Sequence, residues 1–220
     1  MKKVVLALLM ATLLAGGAFA QLQLSAGAGL LIVPAIGEMS YDGEKQGSTE
    51  GVMIGGNVFF DITYAEVNIG ILGGNFKQKD KDGKVADGDK GTDVTDLTLG
   101  LVGKYPFALG DKVKLFPFLG IEYNINLSTK YDGEDVFKDG KYGVDKDGND
   151  YSKADVTSSL KLLIGVGVDF DLTDSIYLRG EVGYGYDFLS KQMNDQIKDD
   201  SKNKIINSII PIKLAVGFKF

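Results

Sequence analysis

Six ionisable residues share one placement in this chain. Glu66, Lys104, Glu122, Lys161, Arg179 and Glu181 each fall on the polar side of a segment whose residues alternate between apolar and polar. Arg179 is the only arginine among 220 residues. A guanidinium is a planar fork that binds carboxylates in pairs, which a lysine ammonium does not. Arg179 is therefore expected to pair with Glu66, Glu122 or Glu181. Such a set can do one of two things: fill an interior as a structural ion-pair network, or gate a narrow path for ions.

Other chemistry is restricted by composition. The chain has no His and no Cys, so neither Ser–His nor Cys–His nucleophile activation is available. No pair of carboxylates stands out from the 30 acidic residues, and an enzyme is not expected. Two Asp-rich strings, Asp80–Lys84 and Asp145–Asp150, have the spacing of a calcium loop at first sight. Counted from Asp145, however, glycine falls at position 4, and Val156 stands where a bidentate Glu is required. Solvated turns account for both strings, with weak calcium binding by 128–155 as the lesser expectation. No metal or cofactor is called for.

The elements that must position these residues are strands. Eight segments alternate with period two: 21–33, 51–62, 65–76, 96–105, 113–127, 156–170, 176–188 and 211–220. Each has about the length a tilted strand needs to cross a bilayer. The final segment carries Ile212, Leu214, Val216, Phe218 and Phe220 on one face. An apolar ribbon at a fraying chain end fits contact with lipid better than contact with water.

The opposite end of the sequence agrees. Lys2 and Lys3 precede an apolar run from Val4 to Leu14, and small residues follow to Ala18-Phe19-Ala20. That order predicts a secretory signal peptide over residues 1–20 with cleavage after Ala20, leaving residues 21–220 as a single barrel domain. Net charge is −6 over the full sequence. Removing Lys2 and Lys3 makes it −8, which argues against nucleic acid as a partner. With no Cys, export proceeds without disulfides.

Periodicity cannot say which face points outward, but three features do. Connections alternate between short (63–64, 106–112, 171–175) and long (34–50, 77–95, 128–155, 189–205), as in outer-membrane barrels. Phe60, Tyr64, Tyr105, Phe107, Phe116, Phe118, Phe170, Phe218 and Phe220 fall near the short-turn end and are expected to form an aromatic girdle, with Tyr123, Tyr184, Tyr186 and Phe188 contributing to an outer one. Pro34 and Pro211 are expected at the outer rim, with Pro106 and Pro117 near the short turns, since a closed barrel has no edge strand to accept them. The expected fold is all-β: an eight-stranded antiparallel up-and-down transmembrane β-barrel. Ten strands are the alternative, if 128–155 contains a hairpin around Tyr131–Tyr142.

On these residues, above all the alternating strands and the Ile212–Phe220 pattern, the chain resembles the small bacterial outer-membrane β-barrels of the OmpA transmembrane-domain, OmpX and OmpW types. The resemblance implies residence in the outer membrane as a monomer surrounded by lipid. It also implies that Ile212, Leu214, Val216, Phe218 and Phe220 are read by the barrel assembly machinery. It does not specify a function. The long polar loops point to adhesion, shielding or another surface interaction with host or surface ligands, or to a structural role. A narrow channel for ions or small solutes is the alternative. A soluble lipocalin-like carrier, which requires an apolar lumen, is the third reading.

Overall fold

The computed structural model describes residues 23–85, 87–137, 150–188 and 202–220. The expected signal segment with Ala18 and Ala20, and the second Asp string apart from Asp150, lie outside the described residues.

Strands β1 (Leu24–Tyr41), β2 (Glu44–Ile62), β3 (Ala65–Asp80), β4 (Thr92–Lys104), β6 (Val113–Tyr131), β8 (Ser159–Asp171) and β9 (Ile176–Phe188) pair antiparallel in sequence order. The last crossing has two parts, β10 (Asn203–Ile209) and β11 (Ile212–Lys219), which pair with β9 on one side and β1 on the other. The sheet thus closes into a ring of eight crossings. The two-residue strands β5 (Phe107–Ala108) and β7 (Glu134–Asp135) fold back onto β6.

The faces follow from the period-two pattern. Leu30, Ile54, Ile71, Leu101, Leu119, Ile164, Val182 and Leu214 point out of the ring and are exposed. Their neighbours in sequence point inward, so the apolar face lies outside, as a lipid-facing barrel requires. Inside the ring, Val33, Met53, Leu72, Val102, Phe116, Phe118, Leu163 and Ile209 pack as one apolar cluster, and buried charged groups lie on the same inward faces.

Several sequence expectations are corrected. Residues 34–50 are not a loop. β1 and β2 continue through them and turn at Asp42-Gly43, where both residues have positive φ (50° and 83°), the twist-matched geometry that favours Asp-Gly. β3 likewise runs on to Asp80, whose side chain caps its own turn by accepting from the Asp82 and Lys84 amides at 2.9 Å each. Within 128–155, β6 continues to Tyr131, and an Asp132-Gly133 turn leads into β7, so the hairpin adds no membrane crossing. Val156 and Thr157 belong to a short helix, α1 (Lys153–Thr157), capped by Ser152.

Phe116 and Phe118 are inside the barrel, 1% and 8% exposed, and take no part in the girdle. Their even position in β6 sets them opposite to lipid-facing Leu119 and Ile121. Pro34 and Pro211 are also not at a rim, because β1 and β10 extend seven residues beyond them. Each keeps the half of the ladder that proline can make: the Pro34 carbonyl accepts from Ile210 N–H at 2.9 Å, and the Pro211 carbonyl from Gly183 N–H at 3.0 Å. Of the expected inner girdle, Tyr64, Tyr105 and Phe107 stack on the outer surface with ring centroids 5.9 and 4.9 Å apart.

Candidate functional site

The short-turn half of the lumen is organised around Arg179. A two-residue turn at Thr63-Tyr64 fixes Asp61 directly opposite Glu66, and the β8–β9 register sets Asp169 opposite Arg179. The guanidinium takes Asp169 as a fork, with Nε to Oδ1 at 2.7 Å and Nη2 to Oδ2 at 2.8 Å. Nη1 donates to Glu66 at 2.5 Å and Nη2 to Asp61 at 2.8 Å. Lys213 bridges Glu66 and Glu181 at 2.8 Å each, and Lys104 binds Asp61.

Aromatic rings enclose the guanidinium. Its Cζ lies 4.9 Å from the Phe59 ring centre, 5.0 Å from Phe116 and 5.1 Å from Tyr177. Contact with ring faces adds cation–π attraction in a water-poor setting. Arg179 and Glu66 are 3% and 2% exposed. Below them, Lys219 pairs with Asp171 at 2.5 Å and the Tyr177 hydroxyl shares a 2.9 Å hydrogen bond with Ser25. A cavity of about 50 Å³ lies on this side of Arg179, and another of about 40 Å³ lies beyond, lined in part by Asn57, Glu122, Glu181 and Lys213.

A second charged group occupies the other half of the lumen. Lys161 pairs with Glu122 at 3.3 Å on adjacent strands. Asp96 accepts from Asn126 at 2.9 Å and from Asn124 at 3.3 Å. A bulge where β4 residues Thr95 and Asp96 face Ser128 and Asn126 gives Asn126 its place, and its amide also donates to the Ser128 carbonyl at 3.2 Å.

The six residues singled out in the sequence therefore fall into two groups. Glu66, Lys104, Arg179 and Glu181 come together, whereas Glu122 and Lys161 form a separate pair. Arg179 contacts Glu66, and Glu181 at 3.8 Å, but its other partners are Asp61 and Asp169. These two and Lys213 lie on the same polar faces in the sequence. The tight turn at Thr63-Tyr64 was the signal that could have placed Asp61 beside Glu66.

The terminal residues Ile212, Leu214, Val216, Phe218 and Phe220 all point outward, and β11 closes the ring through pairing of Ile212–Lys219 with Ser25–Ile32. Among the described residues no three His, Cys, Asp or Glu side chains converge as a metal-holding group. Among the described residues, the arrangement offers buried, oppositely charged side chains paired across the bore.

A family model described as an outer membrane protein beta-barrel domain matches residues 5–218. Among solved structures, Neisserial surface protein A is similar at 15% identity, covering 89% of this chain and 99% of that one with a TM-score of 0.48. The outer membrane protein OprG from Pseudomonas aeruginosa is similar at 14% identity, covering 90% and 96% with a TM-score of 0.47. Ail, the attachment invasion locus protein of Yersinia pestis, is similar at 14% identity, covering 89% and 99% with a TM-score of 0.37. No curated protein sequence matches the chain.

Proposed function

The chain belongs to the outer membrane protein beta-barrel family, and from that premise we propose that it is a closed outer-membrane barrel whose lumen is plugged and whose work is done by the parts that extend beyond the lipid. The observation that carries this reading is the Arg179 group. One guanidinium, hydrogen-bonded to Asp61, Glu66 and Asp169, occupies the bore between strands that are far apart in sequence. An eight-stranded barrel is only wide enough for its own side chains, so a guanidinium held in this way supports a blocked bore.

Short turns face the periplasm in this architecture, so the extended β1–β2 hairpin and the outer ends of β3 and β6 face the cell exterior. A structural or surface-interaction role, as adhesion or shielding, follows from that position. Residues 1–20 act as a signal peptide cleaved after Ala20, and the outward-facing Ile212–Phe220 strand is what the assembly machinery reads. The barrel works as a monomer.

A narrow ion channel is the competing reading. Two small cavities in the lumen, one lined by Arg179 and the other by Glu122, Glu181 and Lys213, are what favours it. Liposome swelling with ions and small sugars separates the two readings. No swelling with refolded protein supports the plugged barrel, and solute-dependent swelling supports the channel.

A further inference from the structure

The outer end of the lipid-facing band is built differently on the two sides of the ring. On β6 and β9 it ends in aromatic residues: Tyr123, Tyr184, Tyr186 and Phe188 are exposed on the outside, with the Tyr186 and Phe188 rings edge to face at 5.1 Å. Such rings anchor a barrel at the level of lipid headgroups. The outer halves of β2 and β3 turn no aromatic residue outward, since Phe76 packs against the interior cluster. Lysines stand there instead. Residues 77–85 carry four lysines against two aspartates, in a chain of net charge −6.

These lysines border a depression of about 550 Å³ on the outside of β1, β2 and β3. Strand register sets its rows. Pro34, Val52 and Asn75 lie side by side in one, and Ile36, Glu50 and Lys77 in the next. Pro34 and Val52 continue the faces of Ile32 and Ile54, so the floor extends the lipid-facing band. Val85 joins it because the Asp80 turn folds back and pairs Val85 with Lys79. Glu50 gives its carboxylate diagonally to Lys79. Lys77, directly opposite Glu50, is exposed and has no side-chain partner among the described residues. Two ammonium groups with a single carboxylate between them therefore border an apolar floor.

We propose that this depression binds one phosphate-bearing lipid of the surrounding leaflet, with its phosphate between Lys77 and Lys79 and the first carbons of an acyl chain over Pro34, Ile36 and Val52. The proposal rests on the outer-membrane reading above, which puts this rim among headgroups. A lysine stem lies along apolar surface while its ammonium reaches a polar head. A phosphate offers charge-assisted acceptors to both ammonium groups at once. Glu50 holds Lys79 in position and leaves Lys77 free for the ligand.

The test is native mass spectrometry of refolded protein in uncharged detergent, titrated with lipid A, an acylated diglucosamine bearing two phosphates. The expected result is one retained molecule per barrel, held at least tenfold more weakly when the phosphates are removed from the lipid, and not displaced by inorganic phosphate at equal concentration. Lys77→Gln and Val52→Asn should each weaken retention severalfold, and Lys77→Gln combined with Lys79→Gln at least tenfold. Lys112→Gln, exposed at the short-turn end, should leave it unchanged. A gel shift between unheated and boiled samples establishes that each variant is folded, and Lys77→Gln alone suffices if the double variant does not fold. Absence of retained lipid, equal retention of the dephosphorylated lipid, displacement by inorganic phosphate, or unaltered retention in folded Lys77→Gln would overturn the proposal. An equal loss in Lys112→Gln would overturn it too, by making the effect one of net charge. Binding to the purified protein does not depend on where the barrel sits in the cell, so failure here is distinct from failure of the outer-membrane reading, which cell fractionation tests.

Discussion

Asp61 and Glu66 face each other across the two-residue turn at Thr63-Tyr64, and both carboxylates reach the same guanidinium, Arg179, at 2.8 and 2.5 Å. Like charges directly opposite on a sheet repel. Here the repulsion is answered by a cation from the far side of the ring, 118 residues from Asp61 in sequence. The pairing ties the β2–β3 hairpin to the next-to-last crossing through the lumen, in addition to the ladder that closes the barrel.

Replacing Arg179 with Ala leaves Asp61, Glu66, Asp169 and Glu181 with only Lys104 and Lys213 nearby. Removing one partner from buried ion pairs costs about 3–5 kcal/mol, and the urea midpoint of unfolding from micelles should fall accordingly. Arg179→Lys should recover only a fraction, because an ammonium cannot engage Asp169 as a fork while also reaching Glu66.

Tyr177 lies flat over Gly217, so close that a Cβ at that position would stand 2.1 Å from the ring. Gly217→Ala should displace the ring, break its hydrogen bond to Ser25 and destabilise the barrel by about 1–3 kcal/mol, as overpacking does. In the Tyr177→Leu background the same substitution should cost markedly less. A double-mutant cycle measured by urea unfolding checks this, and additive effects would contradict the proposed contact.

Beyond the lipid-facing band, the Lys79 ammonium donates to the Glu50 carboxylate at 2.5 Å, and this hydrogen bond holds the Glu50 carboxyl below its ordinary range. A lowered folded-state value means that the contribution is present above the ordinary carboxylate pKa and is lost as pH falls through the folded one. Glu50 is open to solvent, so the effect is small. Glu50→Gln should differ from the wild type in unfolding midpoint at pH 7, and the difference should vanish by about pH 3.

The outward-facing terminal strand predicts a separation of assembly from folding. Phe220→Ala should lower the amount of folded barrel in outer-membrane fractions of cells, measured by the heat-dependent gel shift. Refolding of the purified protein into detergent should be nearly unchanged, since Phe220 is 78% exposed and fills no part of the lumen. An equal loss in both assays would contradict the proposal that Phe220 is a recognition residue.

Strand number, direction and the outward face were legible because period-two alternation, loop asymmetry and the terminal Phe pattern all reported the same barrel. The outer extensions were not. Residues 34–50 read as a loop because Pro34 and polar residues interrupt the alternation, although Asp42-Gly43 carried the hairpin signal. Phe116 and Phe118 were misplaced because distance from the short turns was weighed above their parity in β6. Glu122 and Arg179 share a polar face in the sequence but not a level in the barrel. Strand tilt and register decide which faces meet, and only the tight turn beside Glu66 fixed a register in advance.

The most direct test of the closed-barrel account is single-channel recording in planar bilayers of the refolded wild type and of Arg179→Ala, each confirmed as folded by its heat-dependent gel shift. The account predicts a silent wild type and discrete openings in Arg179→Ala, once the guanidinium no longer fills the bore. Steady conductance by the wild type, with Arg179→Ala indistinguishable from it, would contradict the claim that Arg179 closes the lumen.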